Sequence, residues 1–124
     1  MSPADLDLAR RAVACAGWRW LPGMRHLTPS GWDLPASGRV PDGVPNGGYY
    51  YPDSTPDLTD PATLGCLLAL VREAHDAPHA HTRYSRSRGV WEVTLRHDLC
   101  RGLYGDTEAA ALVAALGAAN ASQP

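Results

Sequence analysis

Three stretches of the chain carry apolar residues at the three- and four-residue spacing of an amphipathic helix, and the clearest is 57–74. Asp60 is a good N-cap for this helix, and Pro61 occupies the first helical position, where its missing N–H has no cost. The apolar stripe consists of Leu64, Leu67, Leu68 and Val71. Because burial of each such side chain contributes about 1.5–3 kcal/mol, we expect this helix to help nucleate the core.

The other two helices are predicted near the two ends of the chain. The first runs from Asp5 to Ala16, and Gly17 follows it as a stop signal. Its narrow apolar stripe consists of Leu6, Ala9, Val13 and Ala16. The last helix follows Asp106 or Thr107, either of which can act as its cap. Its predicted buried face consists of Ala109, Leu112, Val113 and Leu116.

Alternating and aromatic stretches predict short strands between these helices. The strongest is 90–96, in which Trp91, Val93 and Leu95 face one side of a sheet and polar residues face the other. A turn at Arg88-Gly89 precedes this strand. The weaker strand candidates are 18–21, 24–27, 49–51, 81–86 and 99–104.

This order of elements predicts an α+β domain. Strands with a single apolar face favour an antiparallel sheet, and helices must then cover that face. We therefore expect residues 1–124 to form a single domain, in which a small antiparallel sheet packs with about three helices in an α–β–α-like layered sandwich. Residues 28–56 are rich in proline and glycine and are predicted to form a long ordered loop region.

Charge and composition exclude several classes of function. The net charge of −2 and the pI of about 6.2 give no electrostatic reason to expect binding to DNA or to an anionic membrane. No apolar run reaches the length of a membrane span, and no signal peptide is visible.

Three cysteines without CxxC spacing favour free thiols in a reducing cytoplasm, and two of them, Cys15 and Cys66, are expected in the core. The absence of lysine, isoleucine and phenylalanine indicates a GC-rich genome.

Four segments carry a resemblance to known proteins: Trp18–Met24, Pro56–Leu68, Trp91-Glu92-Val93 and Thr107–Leu112. With these segments the chain resembles a group of small uncharacterised proteins encoded by phages and prophages of GC-rich bacteria. Its layout is also similar to the phage ABA-sandwich domain. The resemblance covers most of the chain except 28–48 and 76–89, and it implies a phage origin and a layered fold. With the free thiols expected above, the host cytoplasm is the expected location. It brings no activity and no catalytic residues.

A histidine cluster is the best candidate for a metal site. His75, His79 and His81 follow the central helix, and Asp76, His97 or Cys100 could join them. Converging neutral imidazoles are the ligands that Zn²⁺ needs. The run lacks HExxH and any cysteine pair, however, and histidines at the C-terminal end of a helix are also favoured by its dipole. Solvated loop histidines are therefore the preferred interpretation, and a small metal-dependent hydrolase is kept as an alternative.

A basic and aromatic surface is the second candidate site. Arginine binds phosphate in a bidentate manner, and flat aromatic rings stack on bases. The candidates in the C-terminal strand region are Arg83, Tyr84, Arg86, Arg88, Arg96 and Arg101. Tyr49, Tyr51 and Trp32 in the loop region are added, because aromatic residues outside the core can line a pocket or an interface. Glu92 and Asp98 leave an ordinary ion-pair surface as the alternative, and burial in the core is the alternative for the aromatic residues.

We expect a binding protein rather than an enzyme, since no Walker loop, GxSxG or dinucleotide motif is present. As a phage accessory protein it would counter a host defence system, either by sequestering a small anionic nucleotide or by binding a host protein. No cofactor is predicted. A minor phage structural protein is a further alternative, and an exposed sheet edge would allow a homo-oligomer.

Overall fold

The computed structural model describes residues 2–27, 39–40, 55–95 and 103–121. The helices and strands are α1 (Pro3–Ala14), β1 (His26–Leu27), β2 (Thr55–Pro56), α2 (Pro61–Ala74), β3 (His81–Ser85), β4 (Val90–Thr94), β5 (Tyr104–Gly105) and α3 (Glu108–Ala121). Three helices pack against small antiparallel sheets, which confirms the predicted α+β class. The described strands form two sheets, β1–β2 and β3–β4–β5. None of the described helices is both long and apolar enough to cross a membrane.

Local hydrogen bonds at the N-caps determine where the helices begin. Asp60 caps α2 as predicted, since its carboxylate accepts from the backbone N–H of Thr63 at 3.0 Å. Of the two residues considered for α3, Thr107 acts as the cap. The start of α1 lies two residues before the predicted one, because Ser2 and Asp5 form a reciprocal capping box.

The hydrophobic core surrounds α3, which contacts α1, α2 and all three strands of the larger sheet. Its predicted buried face is confirmed, and Ala111, Ala115 and Ala119 are buried as well. The predicted stripes of the other two helices are partly wrong. The buried residues of α1 are Ala9 and Ala12, and those of α2 are Thr63, Leu67, Leu70 and Val71. Leu64 and Leu68 are only half-buried, since Thr63 faces inward and is bonded there to Asp60 and the backbone of Arg25.

The first predicted strand, 18–21, is wrong. The segment instead continues into a turn closed by a hydrogen bond from Met24 N to Leu21 O at 3.2 Å. The rings of Trp18 and Trp20 contact each other edge to face at 5.3 Å, and Trp20 contacts the buried His26 in the same way. These aromatic residues therefore pack locally rather than along a strand ladder.

The predicted strand at 24–27 is confirmed as β1, although it is shorter than expected. It pairs with β2, which lies inside the region predicted to be loop. Residues 39–40 lie beside this pair, since Val40 exchanges backbone hydrogen bonds with Gly23 and Met24. The predicted strand at 49–51 lies outside the described residues.

The larger sheet contains a hairpin of β3 and β4, as the sequence predicts. Its register pairs His81 with Thr94 and Arg83 with Glu92. Gly89 closes the turn with φ +67°, a conformation that favours glycine, and donates to Ser85 O at 2.8 Å. The last strand, predicted at 99–104, is the short β5, which pairs with β4.

The two faces of this sheet differ in chemistry. The inner face packs against the core, with Val93 fully buried, Trp91 partly buried and Thr82 donating to Glu108 of α3 at 3.1 Å. The opposite face, called the outer face below, consists of His81, Arg83, Ser85, Val90, Glu92, Thr94 and Tyr104. The described residues of β4 alternate between the two faces as predicted, but Glu92 is buried although it belongs to the outer face.

Candidate functional site

The α2–β3 loop, residues 76–80, forms one wall of the candidate site and is held by several hydrogen bonds. Helix α2 ends where Asp76 adopts a left-handed conformation with φ +51°. Ala77 N then donates to Arg72 O at 2.8 Å, and the Arg72 side chain donates through Nε to Ala80 O at 2.8 Å. Because Ala77 and Ala80 are also buried, the loop is anchored at both ends.

A pocket of about 420 Å³ lies between this loop and the end of the hairpin. It is lined by Asp76, Ala77, Pro78, His79, His81, Thr94 and Leu95. The side chains of Ala77, Pro78 and Leu95 provide apolar wall, and the polar lining residues are Asp76, His79, His81 and Thr94. A small apolar ligand group with adjacent hydrogen-bonding or charged groups would fit such a site.

The two histidines of the pocket are linked to each other through the backbone. His81 Nδ1 lies 3.2 Å from His79 O, and a carbonyl oxygen can only accept a hydrogen bond. Nδ1 of His81 therefore carries the proton in this contact. The other ring nitrogen of His81 is then an acceptor in the neutral imidazole and a donor in the protonated one.

The third histidine of the predicted cluster, His75, lies elsewhere. Its Nε2 is 2.6 Å from the carbonyl oxygen of Ala115 in α3, so it links the end of α2 to the central helix. His75, His79 and His81 therefore do not converge on one point. Across the parts of the chain that the structure describes, no group of three His, Cys, Asp or Glu side chains could hold a metal ion. Residues 97 and 100 lie outside the described residues.

The outer face next to the pocket carries an arginine paired with a buried carboxylate. Arg83 donates through Nε and Nη2 to Glu92 Oε1, at 3.2 and 2.7 Å. The Glu92 side chain is only 5 % exposed, whereas that of Arg83 is 67 % exposed. Glu92 thus neutralises part of the charge of Arg83 while the guanidinium group still faces solvent.

The other predicted site residues in the hairpin lie in three different environments. Arg88 donates to the hydroxyl group of Tyr104 at 2.7 Å, and its guanidinium carbon lies 5.2 Å from the centre of that ring. Arg86 is exposed in the turn. Tyr84 belongs to the inner face, where it contacts Trp91 edge to face, and it is 49 % exposed. The arginines therefore share one hairpin, but Tyr84 and Arg83 lie on opposite faces.

The remaining ligand-binding candidates lie outside the described residues. They are Arg96, Arg101, Tyr49, Tyr51 and Trp32. Their proposed roles stay predictions. Sequence reasoning missed Thr94 and Leu95 as pocket residues, and only the pairing of His81 with Thr94 could have identified them.

A polar cluster at the start of α2 was also missed. Arg39 binds the Asp60 carboxylate with both terminal nitrogens at 2.8 Å, and Thr63 donates to the same carboxylate through N and Oγ1. The Arg39 guanidinium, helped by Thr63, holds the pKa of the Asp60 carboxyl well below its usual range. The Asp60 side chain is 8 % exposed and all these bonds are internal, so the cluster is structural.

The two described cysteines have no environment that would activate a thiol. Both are half-buried and pack against the core, where the sequence predicted them. Burial raises the pKa of the Cys15 and Cys66 thiols, which lowers the fraction of reactive thiolate.

Comparison with known proteins returns no match: no family model, no curated protein and no solved structure is similar to this chain. The resemblance to phage proteins therefore stays a prediction. The site must be interpreted from its own chemistry.

Proposed function

We propose that the protein is a non-catalytic binding protein that takes up a small anionic ligand of about mononucleotide size in the His79/His81 pocket. The observation that carries this proposal is the pocket itself, which combines apolar walls with two imidazoles. Asp76 lines the pocket as well, so we expect the negative end of the ligand to lie on the side of the histidines and Arg83, away from this carboxylate. The pocket's volume of about 420 Å³ lies within the usual range of small-molecule sites.

The position of Arg83 supports an anionic ligand. Arg83 lies two residues beyond His81 on the same face of β3, which corresponds to about 7 Å along a strand. A ligand with its base against Pro78 and Leu95 could direct a phosphate group towards Arg83 and His81. Arginine is well suited to this role, because its planar group binds phosphate in a bidentate manner.

The wider biological role is proposed from the resemblance alone. A phage accessory protein of this kind would counter a host defence by sequestering a nucleotide signal in the host cytoplasm. The metal-dependent hydrolase and the minor structural protein stay alternative predictions, and no contact among the described residues favours either of them.

A thermal-shift and calorimetric screen tests the proposal. The panel contains mononucleotides, cyclic nucleotides and cyclic ADP-ribose isomers. A ligand present at about 100 times its Kd stabilises the native state by about 2.7 kcal/mol, so a rise in Tm of several degrees is expected.

The matched variants separate the pocket from the rest of the surface. His79→Ala with His81→Ala removes two exposed side chains from the pocket, and Asp7→Ala with Arg10→Ala removes two exposed side chains from α1. The first pair should abolish binding, and the second should leave it unchanged. A panel with neither a Tm shift nor heat of binding, or equal binding by both double variants, would contradict the proposed function.

A further inference from the structure

Among the strands that the structure describes, β3 is an outer strand of the larger sheet. The described strands are ordered β3–β4–β5, so β3 pairs with β4 on one side and lies at the edge on the other. Its five residues include three that are exposed: His81, Arg83 and Tyr84. An edge strand presents backbone donors and acceptors to which a further extended segment can add.

The exposed charges of the hairpin are all positive. Residues 81–94 contain Arg83, Arg86 and Arg88 and a single acidic residue, Glu92, which is buried. This local excess contrasts with the net charge of −2 of the whole chain. The hairpin therefore attracts negative charge at a defined place on an otherwise acidic protein.

The same charges disfavour a second copy of this chain as the added strand. Antiparallel pairing of two β3 strands about their middle residue would place Arg83 opposite Arg83 of the other copy, and like charges in that position are destabilising. Basic side chains on an edge strand are a common means of preventing self-association. An acidic segment would instead meet complementary charge.

Tyr84 adds an anchor next to this charge. Its ring is supported by an edge-to-face contact with Trp91 at a centroid distance of 5.7 Å, and almost half of its surface is exposed. A supported aromatic side chain of this kind can bury an apolar group of a partner at low entropic cost.

We propose that the β3 edge docks an extended acidic segment of a partner protein by strand addition. Main-chain hydrogen bonds to β3 provide the affinity, the three arginines select negative charge, and Tyr84 contacts an apolar side chain. This site shares Arg83 and strand β3 with the proposed nucleotide site, but it also depends on Arg86 and on the strand edge and does not depend on His79. Failure of the nucleotide screen therefore does not contradict the proposed strand addition.

The test uses a labelled peptide of about eight residues that alternates glutamate and valine. Fluorescence anisotropy measures its binding to the full chain, and amide NMR signals locate the contact. We expect the signals of residues 81–85 to shift. A lysine–valine peptide of equal length and an acidic peptide with N-methylated backbone amides should both bind at least about tenfold more weakly, since the first has the wrong charge and the second cannot pair as a strand.

A matched pair of charge reversals completes the test. Arg86→Glu in the hairpin turn and Arg10→Glu on α1 each reverse one exposed charge. The first should weaken binding of the glutamate–valine peptide several-fold, and the second should not. The proposal would be overturned if the glutamate–valine peptide did not bind, or if the lysine–valine or N-methylated peptide bound equally well. It would also be overturned if the two variants had equal effects, or if the shifted signals lay away from β3. Shifts of the β3 signals with protein concentration alone would indicate self-pairing and overturn it as well.

Discussion

Among the described residues, three buried carboxylates pair with more exposed arginines, namely Asp57, Asp60 and Glu92. The pairs at Asp60 and Glu92 are the shorter ones, and their surroundings differ. Asp60 is paired with Arg39 at the start of α2, and Glu92 is paired with Arg83 on the outer face of the hairpin. The carboxylate side chains are 8 % and 5 % exposed, whereas the arginines are 48 % and 67 % exposed. These two pairs therefore have the same chemistry at similar depth.

The difference lies in how the carboxylate oxygens are used. Both oxygens of Asp60 accept from Arg39, and Oδ2 also accepts from N and Oγ1 of Thr63. Glu92 accepts two bonds from Arg83, and both reach Oε1. Asp60 thus joins a helix start to a distant segment, while Glu92 holds a guanidinium group on an open surface. An ion pair by itself does not indicate which of these roles it has.

The largest expected effect is the loss of Asp60. Asp60→Ala removes an N-cap, worth about 1 kcal/mol, and also the partner of Arg39 and Thr63. We expect the free energy of unfolding to decrease by about 2–4 kcal/mol, as measured by urea denaturation. Asp60→Asn keeps a capping side chain, so its free energy of unfolding should decrease by less. If the two variants were equally stable, the contribution assigned here to the cap would be wrong.

Removal of the arginines distinguishes the two pairs more sharply. Arg83→Ala leaves the buried Glu92 without its two hydrogen bonds from Arg83, and we expect a loss of about 1–3 kcal/mol. Arg39→Ala leaves Asp60 with both bonds from Thr63, so its loss of stability should be smaller than that of Arg83→Ala. Chemical denaturation of both variants provides the comparison. The reverse order of stabilities would contradict the difference between the two sites.

The pH dependence of stability should depend on Arg39. Since the pKa of Asp60 is lowered in the folded state, its contribution is complete above the ordinary carboxyl pKa of 3.8 and is lost as the pH falls below that value. Arg39→Ala removes the main cause of the shift and should make this acid loss shallower. Urea denaturation between about pH 4 and about pH 2 measures both slopes. Equal slopes in the two proteins would mean that Arg39 does not set the pKa of Asp60.

His26 should affect stability in a higher pH range than Asp60, so the contributions of the two residues to the pH dependence can be distinguished. Burial lowers the pKa of this histidine from its ordinary value of 6.5. The neutral ring therefore stabilises the fold at higher pH, and its contribution is lost as the pH falls below 6.5. The Arg39→Ala variant should retain this component.

The smallest expected effect is at Arg86. Arg86→Ala changes an exposed turn residue, so the free energy of unfolding should stay within about 0.5 kcal/mol of the starting protein. Binding of the glutamate–valine peptide should nevertheless weaken. A loss of stability as large as that of Arg83→Ala would mean that Arg86 also stabilises the fold.

Local features could be predicted well from the amino-acid order. The Asp60 and Thr107 caps, the Gly89 turn and the alternation along β4 depend on residues within a few positions of each other, so the pattern contains the interacting partners. The same reasoning succeeded for α3, because a helix with small residues around it can be buried on most of its surface.

Features that join distant segments required the folded chain. Arg39 and Asp60 are 21 positions apart, and Arg25 and Thr63 are 38 apart, so no local spacing predicts that they meet. These contacts turn Thr63 inward and leave Leu64 at the margin of the core. In the same way, the contact of His75 with Ala115 separates it from His79 and His81, which were adjacent only along the chain. Neighbours in sequence share a site only when the packing of their elements directs their side chains to the same place, and that packing is set by long-range contacts.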